Sequence, residues 1–108
     1  MVIKTSNLII LKKNKQKILL FKRAKKDKEL NKWSIVGGTL EKNEKFKDCL
    51  IREVKEEINC NIKKFNFFKQ YKTENENNLK VNSRYYYGEI FEKVKLNKLE
   101  LSEYKWFY

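Results

Sequence analysis

Histidine and proline are absent from this 108-residue chain, which has only two cysteines, three glycines and three arginines. Without histidine, the common His/Cys zinc sites are excluded. Cys49 and Cys60 make at most one pair, so there is no disulfide scaffold, and both read as ordinary buried thiols. No run of 18 apolar residues occurs, which argues against a transmembrane helix. The opening MVIKTSNLIILKK lacks an apolar stretch ending in a small-residue cleavage site, so no secretory signal is legible. These absences point to a cytoplasmic protein without a membrane partner.

Lysine is abundant: 26 basic residues against 14 acidic give a formal net charge of +12. Such a surface attracts phosphate groups. The same Lys/Asn/Ile-rich mixture is also what an AT-rich genome would write onto any soluble protein, and both explanations stay open. Arginine, the better residue for bidentate phosphate gripping, is limited to Arg23, Arg52 and Arg84. Hydrophobic content of 41% supports one globular domain spanning residues 1–108.

NLIILKK and QKILLFKR read as a β-hairpin around KNK, and AKKDKELNK as a charged loop. WSIVGG reads as a short strand entering a glycine turn. From Lys45 to Ile58 the period becomes helical: Phe46, Leu50, Val54 and Ile58 recur every four residues, with Cys49 and Ile51 alongside. NIKKFNFFKQYKT and NLKVNSRYYYGEIFE read as long strands joined by an NENN turn, and LELSEYKWFY as a final extended segment. The order predicts an α+β fold with a mixed or antiparallel sheet. One helix would cover one sheet face. No partner for the other face is legible before Tyr108, an expectation of a shortened or naturally minimal domain, or of a homodimer covering that face.

The helix carries Glu53, Glu56 and Glu57 in a sector about 100° wide. Glu53 and Glu57, four apart, repel each other by a few tenths of a kcal/mol. A divalent cation would reverse that sign. Spacing alone leaves a metal site and a surface charge cluster as alternatives. Two of the three glycines, Gly37 and Gly38, stand just before this helix, where they permit positive φ and close backbone approach to a ligand.

From Gly38 the chain runs through five residues to Glu44, seven more, and then Arg52-Glu53-Val54-Lys55-Glu56-Glu57-Ile58-Asn59-Cys60. This resembles the Nudix box, Gly-x5-Glu-x7-Arg-Glu-U-x-Glu-Glu-x-Gly-U, with U a bulky apolar residue. Asn59 replaces the final glycine and Cys60 the last apolar residue. Asparagine is the commonest non-glycine choice for a left-handed helix cap, so the helix end is expected to survive. ILLFKR, WSIVGG and SEYKWF also look Nudix-like, so the resemblance spans nearly the whole chain.

The resemblance implies a Nudix-type α/β/α sandwich, here with its C-terminal helix apparently missing. It implies Mg²⁺- or Mn²⁺-dependent hydrolysis of a nucleoside diphosphate linked to a further group. Glu53, Glu56 and Glu57 would hold metal, with Glu53 also the general base, Arg52 orienting the glutamates and Glu44 pairing with Arg52 or holding the loop. A further carboxylate from outside the box would be Glu103 or Glu100. Gly37 and Gly38 would shape the loop beside the metal, and Arg23 would contact substrate. The short length favours a nucleoside triphosphate pyrophosphohydrolase of MutT type. Dinucleoside polyphosphates, nucleotide sugars or capped RNA are the alternative substrates, and a catalytically silent nucleotide- or RNA-binding module is the other alternative.

Overall fold

The computed structural model describes residues 2–12, 16–24 and 32–108. The KNK turn and most of the AKKDKELNK loop lie outside these described residues. Among the described residues seven strands and one helix follow in the order β1 (Val2–Leu11), β2 (Ile18–Arg23), β3 (Trp33–Ser34), β4 (Val36–Thr39), α1 (Phe46–Ile58), β5 (Ile62–Glu74), β6 (Lys80–Ile90) and β7 (Leu101–Phe107). The expected hairpin is present, with Ile10 opposite Leu19 and Leu11 opposite Ile18. β1 also pairs antiparallel with β4 and parallel with β6, so the sheet is mixed. Its main path runs β3-β2-β1-β6-β5, with β7 on β2 and β4 on β1.

The helix packs against this sheet along its four-residue stripe. Leu50, Val54 and Ile58 are fully buried against Leu8, Ile10, Leu19, Phe21 and Val36, and Phe46 is partly buried at the edge. Burying each of these aliphatic side chains contributes about 1.5–3 kcal/mol. Cys49 and Cys60 are buried free thiols. Ile51, expected beside the stripe, is instead 49% exposed, because its position on the helix turns away from the sheet.

α1 ends as the sequence predicts. Asn59 adopts φ 55° and ψ 38°, the left-handed region, and its N–H donates to the Lys55 carbonyl at 3.1 Å. Its side-chain Nδ2 adds a bond to the Lys95 carbonyl at 3.0 Å. The segment after β6 satisfies further helix-end carbonyls: Lys95 N–H donates to Ile58 O and Asn97 N–H to Glu57 O. This docking fixes the C-terminal end of α1 against the entry to β7.

The glycine pair departs from expectation. Gly37 and Gly38 lie within strand β4, not in a turn, and neither has positive φ. Their requirement is steric. A Cβ on Gly37 would stand 2.3 Å from the Ser6 carbonyl oxygen of β1, and one on Gly38 would stand 2.3 Å from Cδ of Glu53. Glycine here lets β1 and the helix approach β4 from two sides. Among the described residues no helix is long and apolar enough to cross a membrane.

Candidate functional site

Arg52, on the second turn of α1, organises the acidic cluster. Its Nε donates to Glu44 Oε2 at 2.8 Å and its Nη2 to Glu44 Oε1 at 2.9 Å, a bidentate pair. Nη1 reaches Glu53 Oε1 at 2.8 Å and Glu56 Oε2 at 3.3 Å, and Nη2 also donates to the Thr39 carbonyl at 3.2 Å. One guanidinium thus ties the loop before the helix, the end of β4 and two helical carboxylates together. Glu44 is further held by the Glu41 N–H at 3.0 Å. The Arg52 hydrogen bonds, followed by that N–H, bring the Glu44 carboxyl down to about 2. Arg52 is raised above its usual value, chiefly by Glu44 and then Glu53.

Glu57 lies deeper. It is 6% exposed, and its Oε2 is a buried oxygen without a hydrogen-bond partner. Burial pushes its carboxyl well above the ordinary range, and the charges of Glu53 and Glu100 push the same way. Arg23, at the end of β2, opposes them with Nη1 3.9 Å from Glu57 Oε1. Cys49, buried beneath the network, is pushed up to about 11 by burial, then by Glu44, so it stays a thiol.

These contacts bring Glu44, Arg52, Glu53, Glu56, Glu57, Gly38 and Arg23 into one region. Glu103 is set apart from it. It pairs across from Lys22, whose other neighbour is Trp33, while Phe21 beside Lys22 is in the core. Alternation along β2 therefore puts Glu103 on the sheet face opposite α1. Glu100, three residues earlier, is the outside carboxylate whose charge bears on Glu57.

The donor chemistry suits a hard divalent cation: several carboxylate oxygens, one of them buried and unpartnered. Among the described residues no three such side chains converge as a ready-made metal cluster. Glu53 and Glu56 each accept a hydrogen bond from Arg52, which holds these like charges around one guanidinium.

A profile of the NUDIX domain matches residues 3–107. The chain belongs to the NUDIX family. A curated protein of Buchnera aphidicola subsp. Schizaphis graminum named 8-oxo-dGTP diphosphatase is 41% identical over 61 residues, 56% of this chain. That match spans 45% of the relative, a little under half its length. Among solved structures, the MutT protein of Methanosarcina mazei Go1 is 26% identical with a TM-score of 0.81, covering 97% of this chain and 75% of that one. A MutT NUDIX hydrolase from Burkholderia pseudomallei has a TM-score of 0.85 at 18% identity, covering 99% and 83%, which is a likeness of fold. The mixed sheet carrying a helix against one face is the NUDIX arrangement.

Within this NUDIX chain, two contacts of the site escape sequence reading. The Thr39 carbonyl that Arg52 binds is a backbone group and leaves no trace in residue type. Glu41 Oε1, 3.7 Å from Arg52 Nε, had one weak signal: an acidic residue three before Glu44 in the same loop.

Proposed function

We propose that this protein hydrolyses a phosphoanhydride in a nucleoside diphosphate linked to a further group. A nucleoside triphosphate is the preferred substrate, cleaved to monophosphate and pyrophosphate. The 8-oxo-dGTP diphosphatase relative makes the oxidised guanine nucleotide the first to test. The observation that carries the reading is the buried, unpartnered Oε2 of Glu57 beside Glu53, at the rim of the Arg52 network. A buried polar atom left without a partner is costly, and a bound cation would satisfy it.

In this reading Glu53, Glu56 and Glu57 would hold Mg²⁺ or Mn²⁺. When bound, the metal neutralises phosphate oxygens and lowers the pKa of water. Glu53 takes the proton from the attacking water as general base. That water adds to the α or β phosphorus, the bond from that phosphorus to the α–β bridging oxygen breaks, and the nucleoside monophosphate and pyrophosphate separate. Arg52 positions Glu53 and Glu56, and Glu44 fixes Arg52 from the loop side. Gly38, with no side chain, leaves room for the Glu53 carboxylate against β4. Gly37 and Gly38 shape the strand beside the substrate. Arg23, next to Glu57, meets a substrate phosphate. Glu100 is the better placed source of a carboxylate from outside the helix.

The test is release of pyrophosphate or phosphate from a nucleotide panel, with 8-oxo-dGTP, dGTP, a dinucleoside polyphosphate, a nucleotide sugar and capped RNA, in Mg²⁺ or Mn²⁺. Glu57→Gln is expected to abolish turnover while leaving the circular dichroism spectrum unchanged. Wild-type rates in that variant would sink the metal assignment.

A further inference from the structure

Asn59 stands where the box pattern has glycine, and capping alone does not account for an asparagine there. The cap is a backbone bond from Asn59 N–H to the Lys55 carbonyl, and glycine in the same left-handed conformation makes it equally well. What asparagine adds is Nδ2, which donates to the Lys95 carbonyl at 3.0 Å. Lys95 opens a short run, residues 95–100, that is tied to the glutamates at the end of the helix. Its own N–H donates to Ile58 O at 3.0 Å. Two residues on, Asn97 N–H donates to Glu57 O at 2.8 Å and Asn97 Nδ2 to Glu56 O at 3.5 Å. The Asn97 carbonyl then accepts the N–H groups of Glu100 and Leu101 at 3.0 and 2.9 Å, and Asn97 Oδ1 accepts that of Leu99 at 3.1 Å. Glu100 closes the circuit. Its carbonyl accepts the Ala24 N–H at 3.0 Å, next to Arg23, whose Nη1 is 3.9 Å from Glu57 Oε1.

We propose that Asn59 is a positioning residue: its side-chain amide holds the 95–100 segment on the helix end, so that Glu100 stays beside Glu57 at the metal site. The proposal rests on the metal-dependent reading of that site. Leu96, partly buried against the core, and Leu101, fully buried, fix the two ends of the segment. Between them Lys98, Leu99 and Glu100 are exposed, so the place of Glu100 depends on the hydrogen bonds at Lys95 and Asn97. Like charge works against that place, because the carboxylates of Glu100 and Glu57 repel each other when both are ionised. The Asn59 bond opposes this separation. Glycine at position 59 would keep the helix cap and lose the hold.

The experiment is Mn²⁺ titration followed by electron paramagnetic resonance, on wild type, Asn59→Gly, Glu100→Gln and the double variant. Asn59→Gly keeps the left-handed cap and is expected to fold. It should bind Mn²⁺ about three- to tenfold more weakly, the worth of one net hydrogen bond. Glu100→Gln should weaken binding at least as much, and adding Asn59→Gly to it should have no further effect, because Asn59 acts through Glu100. Amide hydrogen exchange, read without metal or substrate, should be faster by a similar factor at Lys95 and Asn97 in Asn59→Gly. Exchange that matches wild type overturns the proposal, as does unchanged Mn²⁺ affinity in Asn59→Gly. Additive losses in the double variant also overturn it, since Asn59 would then be a structural anchor only. In each of these outcomes wild type still binds Mn²⁺ and the hydrolase reading stands, whereas a wild-type protein that binds no Mn²⁺ removes both.

Discussion

Arg52 shows how much one side chain can organise. Its bidentate pair with Glu44 uses the planar fork of the guanidinium, and its remaining N–H groups reach Glu53, Glu56 and the Thr39 carbonyl. An ammonium cannot span these partners. Arg52→Lys is therefore expected to lower activity by about 10- to 100-fold with the fold retained, measured as kcat alongside thermal unfolding. Glu44 makes a separate prediction about pH. Its carboxyl sits at about 2 in the folded protein, below the ordinary 4.5, because Arg52 and the Glu41 N–H favour the charged form. A lowered pKa gives stability that is fully present above about 4.5 and is lost as the pH falls from there toward about 2. Glu44→Gln should make denaturant stability less steep between these pH values and lower it at neutral pH. Unfolding curves at several pH values check both effects, and an unchanged slope would contradict the pairing.

At the level of elements, sequence periodicity and structure agree best where the signal is local. The four-residue stripe from Phe46 to Ile58 was enough to place α1, and the asparagine at position 59 was enough to place its left-handed end. What sequence could not supply was long-range. The parallel pairing of β1 with β6, and the irregular β2–β7 register that sets Lys22 against Glu103 but Arg23 against Leu101, depend on partners about 80 residues away. That register separates Glu100 from Glu103, two glutamates that look equivalent in sequence. The glycine pair reads in sequence as a turn open to a ligand, whereas it is a strand pressed between β1 and Glu53, because glycine tolerates turn and extended backbone alike. The two glycines should fail differently when changed. Gly37→Ala would drive a methyl into β1 backbone, 2.3 Å from Ser6 O and 2.8 Å from Asn7 Cα, and should cost about 1–3 kcal/mol or more in unfolding free energy. The atoms nearest to a Gly38→Ala methyl are all at the end of the Glu53 side chain, which can swing aside. The stability of this variant should change little while turnover falls at least about tenfold, since Glu53 leaves its place. Unfolding and kinetic measurements on the same two preparations separate the effects.

For the whole molecule, a strongly positive chain surrounds a negative site. Five carboxylates, Glu41, Glu44, Glu53, Glu56 and Glu57, meet two guanidiniums, Arg52 and Arg23, while the chain as a whole carries +12. Two long-range consequences follow, with opposite responses to salt. Repulsion among lysines works against the compact state, so screening should stabilise the fold. The same lysines draw a polyphosphate toward the protein, so screening should slow its capture. Raising ionic strength from about 0.01 to 0.15 M shortens the Debye length from about 30 to 8 Å, less than the 24 Å shortest dimension of the molecule. Across that range, with Mg²⁺ held constant, the melting temperature is expected to rise while kcat/KM for a nucleoside triphosphate falls. The local acidic cluster alone would give the reverse kinetic trend, because salt would screen its repulsion of the substrate. A kcat/KM that climbs with salt would therefore mean that the site's own charge, and not the lysine surface, governs substrate approach.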